Sequence, residues 1–159
     1  MKIRICSVKR LYALAAEGTL SDAAALISSS WPVNPERLGG IPYVACTYDD
    51  VDRELPGRSF SEENARAFAE FLKRLPARIR VLYCCCDGGC RRSAAVACAA
   101  SVFLGQDDMP IWQDPGYEPN PLVYRSLCGA LGKAVSDWEL DLRIEVNRQA
   151  IRQAIRRSK

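Results

Sequence analysis

The sequence contains no histidine among its 159 residues and no pair of C-x-x-C motifs. Both are common sources of zinc ligands, so their absence argues against a metal centre. The crowded cysteines Cys84, Cys85, Cys86 and Cys90 keep a cysteine metal-binding protein open as an alternative. Neighbouring cysteines in a strand point to opposite faces, however, which disfavours a shared metal. We therefore expect no metal and no cofactor.

Long apolar stretches are also missing, because no run of eighteen apolar residues occurs and no signal-peptide pattern follows Met1. The net charge is only +3, and much of the basic excess lies near the end of the chain. Such a charge gives little reason to infer a nucleic acid partner. Repeats and low-complexity segments are absent too. We expect a cytoplasmic protein without membrane or nucleic acid partners, folded as one domain over residues 1–159.

Cysteine, in contrast, is abundant, with eight residues. A disulfide framework is typical of small secreted chains, and this chain lacks an export signal, so a reducing compartment fits better. Four cysteines stand in apolar surroundings, where cysteine behaves as a small hydrophobic residue. We expect these four to pack in the core: Cys6, Cys46, Cys98 and Cys128.

Residues 86–93 form the most informative motif, reading C-x-x-G-x-x-R-S. Seven residues wrapped between a strand end and a helix start can turn their backbone N–H groups inward, which makes a cradle for a tetrahedral dianion. Gly89 allows the tight turn, and Arg92 closes the ring with a planar fork that fits two phosphate oxygens. Cys86 lies at the floor, where the N–H groups and the helix end favour the nucleophilic thiolate.

The flanking sequence provides the context that this motif needs. Residues 79–85 are apolar apart from Arg80, as in a strand buried on both faces of a parallel sheet. Residues 94–104 are rich in alanine and apolar nearly all round, which predicts a buried helix that ends at Gly105. A strand, an anion cradle and a helix are thus predicted in that order.

The motif resembles the signature of the cysteine-dependent protein tyrosine and dual-specificity phosphatases, which is His, Cys, five residues, Arg and then Ser or Thr. Two positions depart from it, because Cys85 replaces the usual histidine and Arg91 takes a place that often holds a small residue. The resemblance implies an α/β fold of the phosphotyrosine-phosphatase type, with a central, mostly parallel sheet flanked by helices. It also implies metal-independent hydrolysis of a phosphate monoester.

In that resemblance each residue of the motif has a role. Cys86 would attack phosphorus to form a phosphocysteine, and Ser93 would hydrogen-bond the thiolate as it leaves. The implied phosphate-binding residues are Asp87, Gly88, Gly89, Cys90, Arg91 and Arg92. The implied substrate is a phosphorylated protein, with phosphotyrosine the best guess, or a small phosphate ester.

An acidic loop precedes the motif by thirty to forty residues, where the resemblance places a general acid. The stretch Tyr48-Asp49-Asp50 is similar to a Phe-Asp-Asp stretch of small family members, so Asp50 is our first choice. Asp52 is the second choice and Asp49 the third. Such an aspartic acid protonates the leaving oxygen and later, as the carboxylate, activates water.

The remaining patterns predict the supporting elements. Strands are expected at residues 2–6, 23–27 and 43–48, and helices at residues 8–17, after the cap Ser61, and after the cap Asn120. The segment around Asn120 is also similar to one in small bacterial phosphatases of this type, where it would brace the cysteine loop. A last helix is expected over about residues 135–157, with Ile144, Ile151 and Ile155 packed on the domain.

The residues of the motif leave two further possibilities for the function of the site. Because Cys85 replaces the histidine, the chain could be a catalytically impaired pseudophosphatase that binds a phosphorylated partner. Oxidised Cys86 could also form a disulfide with Cys85 or Cys90, which would make the site redox-sensitive.

Overall fold

A computed structural model describes all residues from 1 to 159 and contains one four-stranded sheet. The strands are β1 (Lys2–Ser7), β2 (Ala23–Ser29), β3 (Tyr43–Thr47) and β4 (Val81–Cys86). The helices are α1 (Val8–Ala16), α2 (Glu62–Lys73), α3 (Arg92–Phe103), α4 (Met109–Trp112), α5 (Pro121–Ala130) and α6 (Asp137–Arg157), and a short 3-10 helix spans Pro35–Leu38. The strand order is β1-β4-β2-β3 and every pairing is parallel. The predicted α/β fold is therefore confirmed, with a sheet that is parallel throughout.

Helices cover both faces of the sheet and create two apolar cores. The larger core contains residues of α2, α3 and α5, together with Leu26, Leu82 and Cys84 of the sheet. The smaller core lies under α1 and includes Leu11, Ile27 and Cys85. Because successive strand residues alternate between faces, Cys84 and Cys85 enter different cores. None of the helices combines the length and the hydrophobicity needed to cross a membrane.

Polar caps begin the helices where the sequence predicts them. Ser7, Ser61 and Asn120 each accept a hydrogen bond from a backbone N–H in the first turn of the helix that follows. Ser136 forms a capping box with Glu139 at the start of α6. Each cap satisfies a backbone donor that would otherwise lack a partner.

Of the three isoleucines of helix α6 that the sequence predicts to pack on the domain, one is exposed. Ile144 and Ile151 are partly buried, whereas Ile155 is 55% exposed. The residues of α6 that are buried are Leu140 and Asn147. The expectation that Ile155 packs on the domain is therefore wrong. Helix α6 has 21 residues and is longer than either α4 or α5, the helices that it packs against.

A buried carboxylate fixes α6 to the domain. Asp108, only 3% exposed, accepts hydrogen bonds from Trp112 Nε1 at 3.0 Å and Tyr124 Oη at 2.8 Å. Its oxygens also accept from Arg143 of α6 at 2.9 and 3.0 Å. Burial alone would raise the pKa of Asp108, but the hydrogen bonds from Arg143 and Tyr124 outweigh it and hold that pKa below its usual value. The carboxylate form therefore stabilises the folded state.

Replacing Asp108 with asparagine should lower the free energy of unfolding by about 3 kcal/mol at neutral pH, because Arg143 loses its counter-charge. This contribution is fully present above about pH 4, the pKa of an unfolded aspartate. It is lost as the pH falls from there through the lower pKa of the folded state. Urea unfolding of both proteins at pH 7 and in acid should show a difference that narrows in acid. A difference independent of pH would contradict this role.

Candidate active site

The cysteine loop, defined here as residues 86–92, connects the last residue of β4 to the first residue of α3. Cys86 is buried, with its Sγ 3.1 Å from Ser93 Oγ. The backbone N–H of Gly89 donates a hydrogen bond to the same sulfur at 3.1 Å. Two polar groups therefore face the Cys86 sulfur at the N-terminus of a twelve-residue helix, where the helix dipole favours negative charge.

Gly89 is held against the end of the neighbouring strand β1. Its φ is +72°, a conformation that L side chains rarely adopt. A Cβ at this position would lie 2.7 Å from Ser7 N and 2.8 Å from the carbonyl carbon of Cys6. Glycine is thus required both by the turn and by the contact with β1.

Replacing Gly89 with alanine should lower the free energy of unfolding by about 2 kcal/mol or more, since both the backbone and the contact with β1 must change. Gly88 offers a matched control, because a Cβ there meets only Cys90 Sγ at 3.5 Å. We expect Gly88→Ala to stay within about 0.5 kcal/mol of the wild type. Denaturant unfolding measures both, and equal effects of the two substitutions would refute the steric argument.

Arg92 is buried at the end of the loop, with its side chain only 5% exposed. Its Nη1 donates to the carbonyl oxygen of Tyr48 at 2.7 Å and to Ser30 Oγ at 3.2 Å. Its Nη2 donates to Asp87 Oδ2 at 2.6 Å. The third nitrogen, Nε, is buried and has no hydrogen-bond partner. An unpaired buried donor is costly, so an anion bound at Nε would relieve that cost.

Asp87 fixes the Arg92 guanidinium from within the loop. Its carboxylate also accepts hydrogen bonds from Ser29 Oγ at 2.9 Å and from the backbone N–H of Ser30 at 3.0 Å. Burial alone would raise the pKa of Asp87, but the hydrogen bonds from Ser30, Arg92 and Ser29 prevail and hold it below its usual value. Asp87 thus joins the end of β2 to the cysteine loop, a contact of its side chain that the motif does not predict.

The three acidic residues of the preceding loop have different partners. Asp50 Oδ1 accepts from Asn120 Nδ2 at 2.8 Å, and Asp50 Oδ2 accepts from Arg91 Nε at 3.1 Å. Asp52 also pairs with Arg91, at 2.7 Å, while Asp49 pairs with Arg58 at 2.7 Å. Asp50 is thus held by Asn120, which is fully buried, as well as by the cysteine loop.

Arg91 is surrounded by carboxylates, since it also pairs with Glu118 at 2.6 Å. The segment that contains Glu118 further contacts the loop backbone, because the N–H of Glu118 donates to the Cys90 carbonyl and that of Asn120 to the Arg91 carbonyl. Asn120 has a second contact with the acidic loop, through the Val51 carbonyl at 3.0 Å. The sequence marks Asn120 as a helix cap, but its contact with Asp50 requires the tertiary fold.

The crowded cysteines do not converge on one point. Cys84, Cys85 and Cys86 are buried, whereas Cys90 is exposed, and all eight cysteines are free thiols. No group of three or more histidine, cysteine, aspartate or glutamate side chains is placed to hold a metal ion. Cys85 Sγ lies 3.4 Å from Cys6 Sγ of strand β1. Of the four cysteines expected in the core, Cys46, Cys98 and Cys128 are buried and Cys6 is only partly buried.

Comparison with known proteins supports the fold. No protein-family model matches the sequence, and no curated protein matches it. A crystal structure of PTPMT1 is similar over 98% of this chain and 95% of that chain, with a TM-score of 0.51 and 11% identity. PTPMT1 in complex with PI(5)P matches with a TM-score of 0.48 and 9% identity over 96% and 94% of the two chains. Tk-PTP in the active form matches with a TM-score of 0.40 and 17% identity over 94% and 90%.

The first of these matches indicates the class of fold to which the chain belongs. The first of them, together with the parallel sheet and its flanking helices, shows a phosphotyrosine-phosphatase-like fold. Sequence identities this low support a shared fold and nothing more. The chemistry of this chain has to be argued from its own residues.

Proposed function

We propose that this protein is a metal-independent phosphate monoester hydrolase of the tyrosine or dual-specificity phosphatase type, acting through a phosphocysteine on Cys86. One observation carries the proposal. The Cys86 sulfur faces Gly89 N–H and Ser93 Oγ at 3.1 Å each, in a loop that ends at a buried arginine with an unpaired Nε. This arrangement offers a nucleophile and anion donors in one place.

In the first step, the Cys86 thiolate attacks phosphorus in line with the leaving oxygen. The S–P bond forms, the P–O bond breaks, and Asp50 donates a proton to the departing oxygen. Arg92 Nε and the backbone N–H groups of residues 87–92 hold the equatorial oxygens, whose charge grows in the transition state. Asp87, Ser30 and the Tyr48 carbonyl keep the rest of the guanidinium in position.

In the second step, the Asp50 carboxylate accepts a proton from a water molecule that attacks the phosphocysteine. The S–P bond breaks and inorganic phosphate is released. Ser93 Oγ, 3.1 Å from the sulfur, accepts from the Cys86 thiol in the structure, and its hydroxyl can turn to donate to the thiolate that leaves, which makes the sulfur a better leaving group. No metal or cofactor takes part in either step.

The proposed substrate is a phosphorylated protein carrying phosphotyrosine, or a small phosphate ester. Arg91 could have supplied extra positive charge for a polyanionic substrate, but its ion pairs with Asp52 and Glu118 offset that charge. One arginine, Arg92, then remains for one phosphate group. A cytoplasmic location suits the eight free thiols, which a reducing compartment preserves.

Replacing Asp50 with asparagine should lower kcat by about 100-fold, because the leaving oxygen loses its proton donor. The loss should be larger for phenyl phosphate than for para-nitrophenyl phosphate, whose leaving group needs less protonation. Asp49→Asn is the matched control, since Asp49 pairs with Arg58 instead of with the cysteine loop. A loss that is the same for both substrates, or one found in Asp49→Asn alone, would exclude Asp50 as the general acid.

A second candidate is a pseudophosphatase that binds a phosphorylated partner without turnover. The observation that favours it is the close ion pair between Arg92 Nη2 and Asp87, at 2.6 Å, which occupies one donor of the guanidinium. Cys85, moreover, replaces the histidine of the phosphatase signature.

Hydrolysis of para-nitrophenyl phosphate between about pH 5 and 7 with EDTA and a reductant separates the two candidates. We expect turnover that EDTA leaves unchanged and that vanadate inhibits. Vanadate binding without any turnover would favour the pseudophosphatase. Neither turnover nor vanadate binding would reject both.

A further inference from the structure

Two cysteines outside the proposed catalytic machinery lie side by side beneath the cysteine loop. Cys6 of β1 and Cys85 of β4 are register partners in the parallel sheet. Their sulfur atoms are 3.4 Å apart, close enough for a hydrogen bond between the thiols. Register partners in adjacent strands have a Cα separation of about 5 Å, within the range that a disulfide spans.

The two thiols differ in ways that suit sequential oxidation. Cys6 lies on the edge strand and is only partly buried, whereas Cys85 is fully buried. The hydrogen bond with Cys85 and the charge of Arg10 together lower the pKa of Cys6 despite its burial, and the same hydrogen bond with burial raises that of Cys85. Cys6 is therefore the accessible member with more thiolate character, and Cys85 is the protected one.

The strand geometry separates Cys85 from the nucleophile. Cys85 and Cys86 are consecutive in β4, so their side chains point to opposite faces of the sheet. The Cys85 sulfur lies against Cys6 and the side chain belongs to the smaller core, while the Cys86 sulfur faces Gly89 and Ser93. Cys6 is thus placed to form a disulfide with Cys85.

We propose that Cys6 and Cys85 form a dithiol that hydroperoxides oxidise to a disulfide, and that this disulfide distorts the cysteine loop. The Cys6 thiolate attacks a peroxide oxygen, the O–O bond breaks and a sulfenic acid forms; the hydroxide or alkoxide that leaves takes up the proton lost by the thiol and becomes water or an alcohol. The Cys85 sulfur then attacks the Cys6 sulfur, and the hydroxyl leaves as water after taking the Cys85 proton. Both sulfur atoms are oxidised and the peroxide accepts the two electrons.

The coupling to the loop follows from the contact of Gly89 with β1. Closing the disulfide brings the two sulfur atoms from 3.4 Å to about 2.05 Å, and in this proposal the ends of β1 and β4 take up part of that change. Gly89 packs against this same end of β1, at Cys6 and Ser7, so closely that a Cβ on Gly89 would clash with the β1 backbone. Because Gly89 N–H contacts the Cys86 sulfur, the movement reaches the nucleophile. This second part rests on the proposed phosphatase function.

Peptide mapping of the full-length protein tests the disulfide without any activity assay. After treatment with hydrogen peroxide, alkylation and trypsin digestion, we expect residues 5–9 linked to residues 81–91. The link should disappear in Cys6→Ser and in Cys85→Ser, and it should persist in the controls Cys84→Ser and Cys90→Ser. A link that survives Cys85→Ser, or unlinked Cys6 beside an oxidised Cys86, would overturn the proposal.

Activity tests the coupling. Peroxide should lower hydrolysis of para-nitrophenyl phosphate by about tenfold in the wild type, with recovery in dithiothreitol, because a shift of about 1 Å at a catalytic group is enough for such a loss. The recoverable loss should be absent in Cys6→Ser, and an equal loss in that variant would overturn the coupling. If the wild type hydrolyses nothing, the proposed function fails. The coupling between the disulfide and the cysteine loop is then tested by the affinity for vanadate, which should fall on oxidation; an unchanged affinity would overturn the coupling.

Discussion

Replacing Cys86 with serine should lower turnover of para-nitrophenyl phosphate by at least about 10⁴-fold, because its neighbours, Gly89 N–H and Ser93 Oγ, include no general base that could activate a hydroxyl nucleophile. A serine needs a nearby general base, most often histidine, and this sequence contains none. The rate should be followed with EDTA and a reductant present, so that neither metal contamination nor oxidation of the eight thiols affects the comparison.

The control for this substitution is Cys90→Ser, which changes the one exposed thiol of the same loop. We expect Cys90→Ser to keep its rate within about tenfold of the wild type, since the Cys90 side chain makes no hydrogen bond to Cys86, Arg92 or Ser93. Phosphate should still bind to Cys86→Ser, because its N–H cradle and Arg92 remain. Full activity in Cys86→Ser would rule out the cysteine as nucleophile.

Replacing Arg92 with lysine should lower kcat/KM by about 10³-fold, although the charge is kept. The guanidinium donates to Tyr48, Ser30 and Asp87 and leaves Nε unpaired, which is the donor that we propose for the phosphoryl group. A single ammonium group cannot make this set of contacts in a fixed plane. Kinetics with para-nitrophenyl phosphate and an unfolding curve separate loss of catalysis from loss of stability.

The matched substitution is Arg91→Lys, one position earlier. Arg91 forms ion pairs with Asp50, Asp52 and Glu118 at the loop surface. Because surface ion pairs contribute little energy, we expect Arg91→Lys to lower kcat/KM by no more than about tenfold. If the two lysine variants lost the same activity, the assignment of Arg92 as the phosphoryl ligand would be wrong.

The local elements could be predicted because their causes are local. Ser61 and Asn120 cap helices through atoms a few residues away, and the short loop between β4 and α3 is predicted from the spacing of Cys86, Gly89 and Arg92. The apolar residues before Cys86 also predict a strand buried on both faces. These signals lie within short windows of sequence, which is why they can be read without the fold.

The contacts that position the site could not be predicted because they depend on strand order. Asp87 contacts Ser29 and Ser30 because β2 lies beside β4 in the sheet. Cys85 contacts Cys6 because β1 lies on the other side of β4. The sequence spacing alone suggested Cys85 or Cys90 as disulfide partners of Cys86.

The most direct test of the phosphocysteine is to trap it. The wild type should be mixed with para-nitrophenyl phosphate, denatured within its turnover time in detergent, and digested for mass spectrometry of residues 81–91. We predict one phosphoryl group on Cys86, and none in Cys86→Ser. Turnover of the wild type without any phosphorylated peptide, together with unchanged turnover in Cys86→Ser, would contradict the phosphocysteine route.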